Sequence, residues 1–279
     1  MAKIPQTRGV TKNDIPYVKF EGGSKIAMVW AGGPGNALPA GWLFDSLTRP
    51  LHPLLDEYTV IFLSRRSGLT DGYSTKDFAG DYAELIKNEY GGHVDLIYGL
   101  SYGGIVAQHF AADHYDLCDH LVIGAAAYKV HETEVMVDYR YAELVHQNKV
   151  RQALASMASA LYSNKLMVAI MRPILWLLAP TMLGKSVVTE TYRNDILIEA
   201  KAEVAHDGSE SLKRITKPTL IQGGELDKYF PLEFLQKTQE LIPNGNGKLI
   251  IYPGHGHNIL ELEKPILDVL EWIAELESN

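Results

Sequence analysis

The chain has 279 residues, enough for one large domain or a domain with an insert, and enough to bury a sizeable core without covalent staples. Apolar residues make up 46% and charged residues 22%, as in an ordinary globular protein. The formal net charge of −8 argues against a nucleic-acid partner, which would require a basic face.

In chain order, the start reads MAKIPQTRGVTKNDIPYVKF and has no apolar core of the kind a signal peptide needs, so none is expected. Short apolar runs then alternate with amphipathic stretches. Lys25 to Gly32, Tyr58 to Ser64, Val94 to Leu100 and His120 to Ala126 read as strands, each a near-continuous apolar run bounded by glycine or polar residues. Helical patterns lie between them at Leu38 to Glu57, Thr75 to Tyr90 and Tyr102 to Tyr115. This rhythm predicts an α/β fold with a mostly parallel sheet flanked by helices.

The rhythm stops after Ala127. From Tyr128 to about Ile215 no strand pattern is visible, and the segment is rich in helix formers. Strand patterns resume at Lys217 to Gly224 and Gly247 to Gly254, with a helix between them from Pro231 to Leu241. A last amphipathic helix is expected from Lys264 to Glu275. The expected organisation is therefore a core of residues 1–127 and 216–279 interrupted by a helical cap at 128–215.

The only cysteine, Cys118, rules out an intramolecular disulfide and suits a reducing cytoplasm, the expected location. The most apolar stretch, Leu166 to Pro180, is interrupted by Arg172 and Pro173 and is too short to span a bilayer. Nothing next to it in sequence is strongly basic, so stable membrane association is not expected either. Its residues, with Met157 and Leu161 before it, would pack the cap on itself or line an apolar acyl pocket.

The chemistry centres on Gly99-Leu100-Ser101-Tyr102-Gly103, a G-x-S-x-G pattern with a strand before it and a helix after it. A serine N-cap with glycines for the turn would leave the same letters. As a nucleophile elbow, the turn would hold the hydroxyl above the sheet at a helix N-terminus, where the helix dipole favours developing negative charge. A serine hydroxyl needs a base to take its proton, and a histidine base needs an acid to fix its tautomer. Just past the next strand patterns stand Asp227, with Glu225 as a rival, and His257, with His255 as a rival. Both loops fall at carboxyl ends of strands, where α/β sheets carry their sites. No metal-ligand spacing is present: HETE at His131 lacks a second histidine.

With these residues in view, the chain resembles the α/β-hydrolase superfamily, specifically its capped serine hydrolases. GLSYGGIVAQHFAADHYDLCDHLVIGAA is similar to that family's elbow, helix and following strand. GGELD resembles its acid loop, which implies Asp227. GHGH resembles its histidine loop, which implies His257 rather than His255. Ala31-Gly32-Gly33-Pro34-Gly35 resembles the family's oxyanion loop, with Ala31 where histidine is usual. Pro34 has no N–H, so backbone N–H groups of Gly33 and Tyr102 are the implied oxyanion donors. A second departure is Ser64-Arg65-Arg66-Ser67, where the family commonly has Asp-x-Arg-Gly; Arg66 then stands at the family's arginine, and altered bracing of the site mouth is expected.

The resemblance implies a serine esterase that needs no cofactor and takes a small-molecule substrate. A carbon–carbon bond hydrolase, a prolyl aminopeptidase-like enzyme and a receptor without turnover remain alternatives. For the aminopeptidase, the acidic residues Glu132, Glu134, Asp138 and Glu143 are candidates to read a substrate amine. Oligomeric state is not legible.

Overall fold

The structure is a computed structural model that describes residues 5–39, 41–158, 164–182 and 189–278. Eight strands form one sheet: β1 (Gln6–Val10), β2 (Pro16–Phe20), β3 (Lys25–Trp30), β4 (Tyr58–Leu63), β5 (Val94–Leu100), β6 (Cys118–Gly124), β7 (Thr219–Gly224) and β8 (Gly247–Tyr252). Their spatial order is β1-β2-β4-β3-β5-β6-β7-β8. From β4 to β8 every neighbouring pair is parallel, whereas β1–β2 and β2–β4 are antiparallel.

The six parallel strands are the six expected from the sequence, within two residues at most ends. They are legible because both faces are covered. Met28 and Ile97 face one core with Ile61, Phe110 and Tyr82. Their neighbours Val29 and Leu96 face the other, with Val122, Val269 and Trp272. A strand buried on both sides has no polar positions to alternate with, hence the continuous apolar runs.

Two features were not anticipated. The first is the β1–β2 hairpin, an edge addition with only two fully apolar inward positions in β2, Val18 and Phe20, beside the polar Lys19. The second is a break in the expected helix Leu38 to Glu57. A helix α1 (Trp42–Thr48) gives way to a 3-10 run over Arg49–Asp56, which contains Pro50 and Pro53. Each proline lacks the N–H that an α-helix would use, so the ladder cannot continue.

The remaining core helices match their expectations more closely. They are α2 (Thr75–Glu89), opened by a capping box between Ser74 and Asp77, and α3 (Tyr102–Asp113). Between β6 and β7 the described residues form helices only: α4 (Glu132–His146), α5 (Val150–Ser156), α6 (Lys165–Met182), α7 (Glu190–Val204) and a short α8 (Ser209–Leu212). Helices α9 (Leu232–Leu241) and α10 (Lys264–Glu277) complete the chain.

The apolar stretch around α6 follows the expectation of helix-on-helix packing on one side only. Leu175 and Ala179 pack against Leu154 and Ala158. Leu166, Ile170 and Leu177 point outward instead, at 69%, 47% and 66% exposure. Leu161 lies outside the described residues. Among the described residues, no helix is long and apolar enough to cross a membrane.

Candidate active site

Ser101 sits between β5 and α3 with φ 52° and ψ −111°, a conformation that L-residues rarely hold. The neighbouring glycines show what holds it. A Cβ on Gly99 would come within 2.4 Å of the Gly103 carbonyl oxygen, and one on Gly103 within 2.4 Å of the Trp30 carbonyl oxygen. The turn is so tight that only hydrogens fit at those two positions, which gives the motif's glycines a packing cause.

The structure brings Ser101, His257 and Asp227 together. His257 Nε2 lies 2.9 Å from Ser101 Oγ, and His257 Nδ1 lies 2.8 Å from Asp227 Oδ2. Asp227 comes from the loop after β7, and its side chain is fully buried. Its other oxygen, Oδ1, accepts the backbone N–H groups of Tyr229 and Phe230 at 2.9 and 3.1 Å. The carboxylate is thus fixed on one side by its own loop and presents the free side to the imidazole. His257 follows β8 at the start of a 3-10 turn, with the Tyr229 and Phe230 rings 5.1 and 5.8 Å from its own.

Neither rival joins this chain of hydrogen bonds. Glu225 Oε2 accepts the Gly254 N–H at 2.9 Å, bracing the histidine loop, and the His255 carbonyl accepts the Leu226 N–H at 2.8 Å. His131 opens α4, and among the described residues no group of three or more His, Cys, Asp or Glu could hold a metal ion.

The Gly-rich loop after β3 passes directly over the serine. A Cβ on Gly32 would meet Ser101 Cβ at 3.0 Å and Ser101 Oγ at 3.7 Å. Gly33 has φ +66° and open space where a side chain would stand. Tyr102 is the first residue of α3, where a helix leaves its N–H groups without intrahelical acceptors. Among the described residues neither the Gly33 nor the Tyr102 N–H donates to a protein acceptor. Two donors without a protein acceptor therefore follow directly in sequence on Ser101 and on Gly32, the glycine packed against it.

The brace on this loop is Arg65, which sequence reasoning passed over in favour of Arg66. Arg65 is fully buried. Its guanidinium donates to the carbonyls of Ala31 (2.8 Å), Gly33 (2.6 Å) and Gly35 (2.8 Å), and Nε donates to Glu199 Oε2 at 3.0 Å. It also lies over the Tyr102 ring, 4.5 Å from the centroid, while the Tyr102 hydroxyl donates to the Glu199 carbonyl. One cation thus ties the Gly-rich loop, the elbow helix and α7 together. Arg66 instead pairs with Asp81 at 3.2 Å, on the outer side of the same loop.

Helix α7 carries a second signal that sequence reading missed. Asp195, Glu199 and Glu203 are all buried, and their i, i+4, i+8 spacing puts them on one ridge. Asp195 accepts from Gly68 N, Leu69 N and Asn36 Nδ2. Glu199 accepts from Arg65 and from Gly35 N. Each of the two glutamates also has one oxygen buried without a partner, Glu199 Oε1 and Glu203 Oε2. Burial pushes the Glu203 carboxyl well above its ordinary range, with nearby Asp138 adding to the effect. Burial likewise pushes Asp138 up to about 7; it accepts the Tyr229 hydroxyl at 3.2 Å. Tyr229 links the pair to His257 through a ring contact. Of the acidic residues singled out on the 132–143 segment, Asp138 alone is buried.

A sequence model described as the alpha/beta hydrolase family matches residues 29–272. The chain belongs to the alpha/beta hydrolase family. A comparison with curated protein sequences finds no match. Among solved structures, this alpha/beta hydrolase is similar to E-2-(acetamidomethylene)succinate hydrolase, with 22% identity, a TM-score of 0.64, and 99% of this chain and 100% of that chain covered. It is also similar to the enol-lactonase from Burkholderia xenovorans LB400, with 16% identity, a TM-score of 0.67, and 98% and 100% covered. A third is a thermophilic esterase from Thermogutta terrifontis, with 19% identity, a TM-score of 0.66, and 97% and 98% covered. At these identities the structural likeness speaks for the fold.

Proposed function

We propose that this alpha/beta hydrolase is a serine hydrolase that cleaves a small to medium, apolar carboxylic ester through an acyl-enzyme. The observation that carries the reading is the unbroken hydrogen-bonded chain from Ser101 Oγ through the His257 ring to Asp227. In the proposed cycle, Ser101 Oγ attacks the ester carbonyl while His257 Nε2 takes its proton. Asp227 accepts the Nδ1–H, keeps the ring in that tautomer and balances the imidazolium. The N–H groups of Gly33 and Tyr102 receive the oxyanion, at sites already ordered before substrate arrives. His257 then gives its proton to the leaving alcohol, and a water deprotonated by the same nitrogen releases the acid. No step calls for a cofactor. In this reading residues 1–127 and 216–279 form the catalytic core, and 128–215 a cap that screens substrates.

A panel of nitrophenyl esters of increasing acyl length tests the proposal. Turnover by the wild type that falls to the uncatalysed rate in Ser101→Ala supports it. Tight binding of an ester with no turnover by a folded wild type would favour a receptor on the same scaffold.

One observation favours a second reading of the substrate. Asp138 and Glu203 are buried beside Tyr229 with no cationic partner among the described residues. A protonated amine on the substrate would satisfy them, as in an amino-acid ester or an aminopeptidase substrate. Comparing an amino-acid ester with its des-amino counterpart separates the two readings: a kcat/KM preference for the amine that Glu203→Gln removes supports the second.

A further inference from the structure

The outer face of α6 is an unusual surface. Leu166, Ile170, Ile174 and Leu177 follow i, i+4, i+4, i+3 spacing and so share one side of the helix, with exposures of 69%, 47%, 40% and 66%. Its buried side, with Leu175 and Ala179, packs on α5. Scattered exposed apolar residues are ordinary, but four in one continuous stripe mark a contact surface.

Charge says what kind of surface would cover it. Between Glu143 and Glu190 the sequence contains five Lys and Arg and no Asp or Glu, in a chain whose formal net charge is −8. The linear sequence disperses them, and the fold gathers the four among the described residues, Lys149, Arg151, Lys165 and Arg172. Lys165 and Arg172 lie on the flank of the α6 stripe, on the same side as Trp176. Beside that flank an open groove of about 810 Å³ is lined by Lys149, Arg172, Trp176 and Leu144. The Arg151 guanidinium covers the Trp176 ring, 4.5 Å from its centroid. Among the described residues Lys149, Arg151, Lys165 and Arg172 have no carboxylate partner, whereas Arg140 at the far rim pairs with Glu143.

We propose that this face docks the protein reversibly on an anionic lipid surface. The stripe of α6 would enter the headgroup–acyl boundary, Trp176 would sit at the interface, and the four cations would meet lipid phosphates. Long Lys and Arg stems suit that placement, since they can lie along apolar surface while keeping the charge in the polar layer. An apolar protein partner would satisfy the stripe but would leave the cations uncompensated, and a second copy of this acidic chain would have to bring its own cationic stripe against the first. The proposal is independent of the chemistry assigned to Ser101.

Vesicle flotation with the full chain tests it. With vesicles of equimolar phosphatidylglycerol and phosphatidylcholine at low salt, the protein floats; with phosphatidylcholine alone, or at high salt, it stays in solution. The combined variant K149Q/R151Q/K165Q/R172Q loses partitioning by about fivefold per cation removed. The variant L166S/I170S/L177S loses it by more than tenfold. All these positions are on the surface, and an unchanged circular dichroism melt confirms that each variant is folded. Three results would overturn the proposal: no flotation of the wild type with the anionic vesicles, equal flotation with neutral ones, or a dimer in sedimentation that L166S/I170S/L177S dissociates while no vesicle binding is seen.

Discussion

At the carboxyl ends of β5, β7 and β8, three polar side chains meet because the strands beneath them are held by a core on each face of the sheet. In the helices between β6 and β7 the situation is inverted: carboxyl groups are buried on the inner side, and a stripe of large apolar residues faces outward. The first region spends its polar groups on one another, with Asp227 taking two backbone donors and one histidine. The second leaves Glu203 Oε2 unpartnered and Leu166 exposed. The Asp227 carboxylate finds its partners within the strand-end loops, whereas Asp195 and Glu199 of the helical segment draw theirs from outside it. The core's own loops and Arg65 supply the partners of Asp195 and of Glu199 Oε2, while Glu199 Oε1 stays unpartnered.

The largest test of this contrast is the bridge between the two regions. Arg65→Met removes the donor to three loop carbonyls and leaves Glu199 buried without its cation. Breaking one partner of a buried pair in this way costs on the order of 3–5 kcal/mol. Chemical denaturation should show a loss of that size. Whatever folded protein remains should keep its ester KM and lose kcat, because the loop that carries Gly33 is no longer held. A stability loss under 1 kcal/mol would mean that the two regions are not tied through this residue.

The pH dependence of stability should show two limbs, one set within the helical segment and one across its seam with α3. Asp138 has its pKa raised by burial to about 7 from an unfolded value of 3.8, so the native state holds a proton that the unfolded state releases. Its contribution is fully present below the unfolded value and is lost as pH rises through about 7. The opposite sign belongs to His109 and His206, which share Thr75 Oγ1 as a partner at 3.0 Å. Burial lowers them to about 4 and about 3 from 6.5, so their contribution is present above 6.5 and is lost as pH falls through those values. Melting temperatures should therefore decline on both sides of an optimum, and Asp138→Asn should flatten the alkaline side alone. An unchanged alkaline limb in that variant would contradict the assignment.

The smallest effect is expected at Gly33. Alanine there meets open space but must adopt φ +66°, which costs an L-residue about 1–2 kcal/mol. A modest melting shift from Gly33→Ala, with a larger loss of turnover than of stability, would fit a loop whose exact backbone path matters.

The sequence made the parallel strands and the serine motif legible for physical reasons. Strands covered on both faces read as apolar runs, and an elbow too tight for Cβ atoms reads as glycines. Asp227 and His257 followed from their places after β7 and β8 and from the resemblance. Arg65 was not legible, because an arginine just past a strand reads as solvated, and only the fold reveals the carbonyls that surround it. The 195–199–203 ridge had a usable signal in its i, i+4, i+8 spacing, but acidic residues in a helix normally mark the solvent side. The β1–β2 hairpin was hidden because an edge strand that buries alternate residues over five positions leaves too short a pattern.

The central claim is that Ser101 is the nucleophile. The most direct test is mass spectrometry of the intact protein and its peptides after treatment with a fluorophosphonate. The account predicts a single phosphonyl adduct on the peptide containing Ser101, abolished by Ser101→Ala and slowed by orders of magnitude in His257→Ala. A folded wild type that forms no adduct, or one that forms it on another residue, would contradict the account.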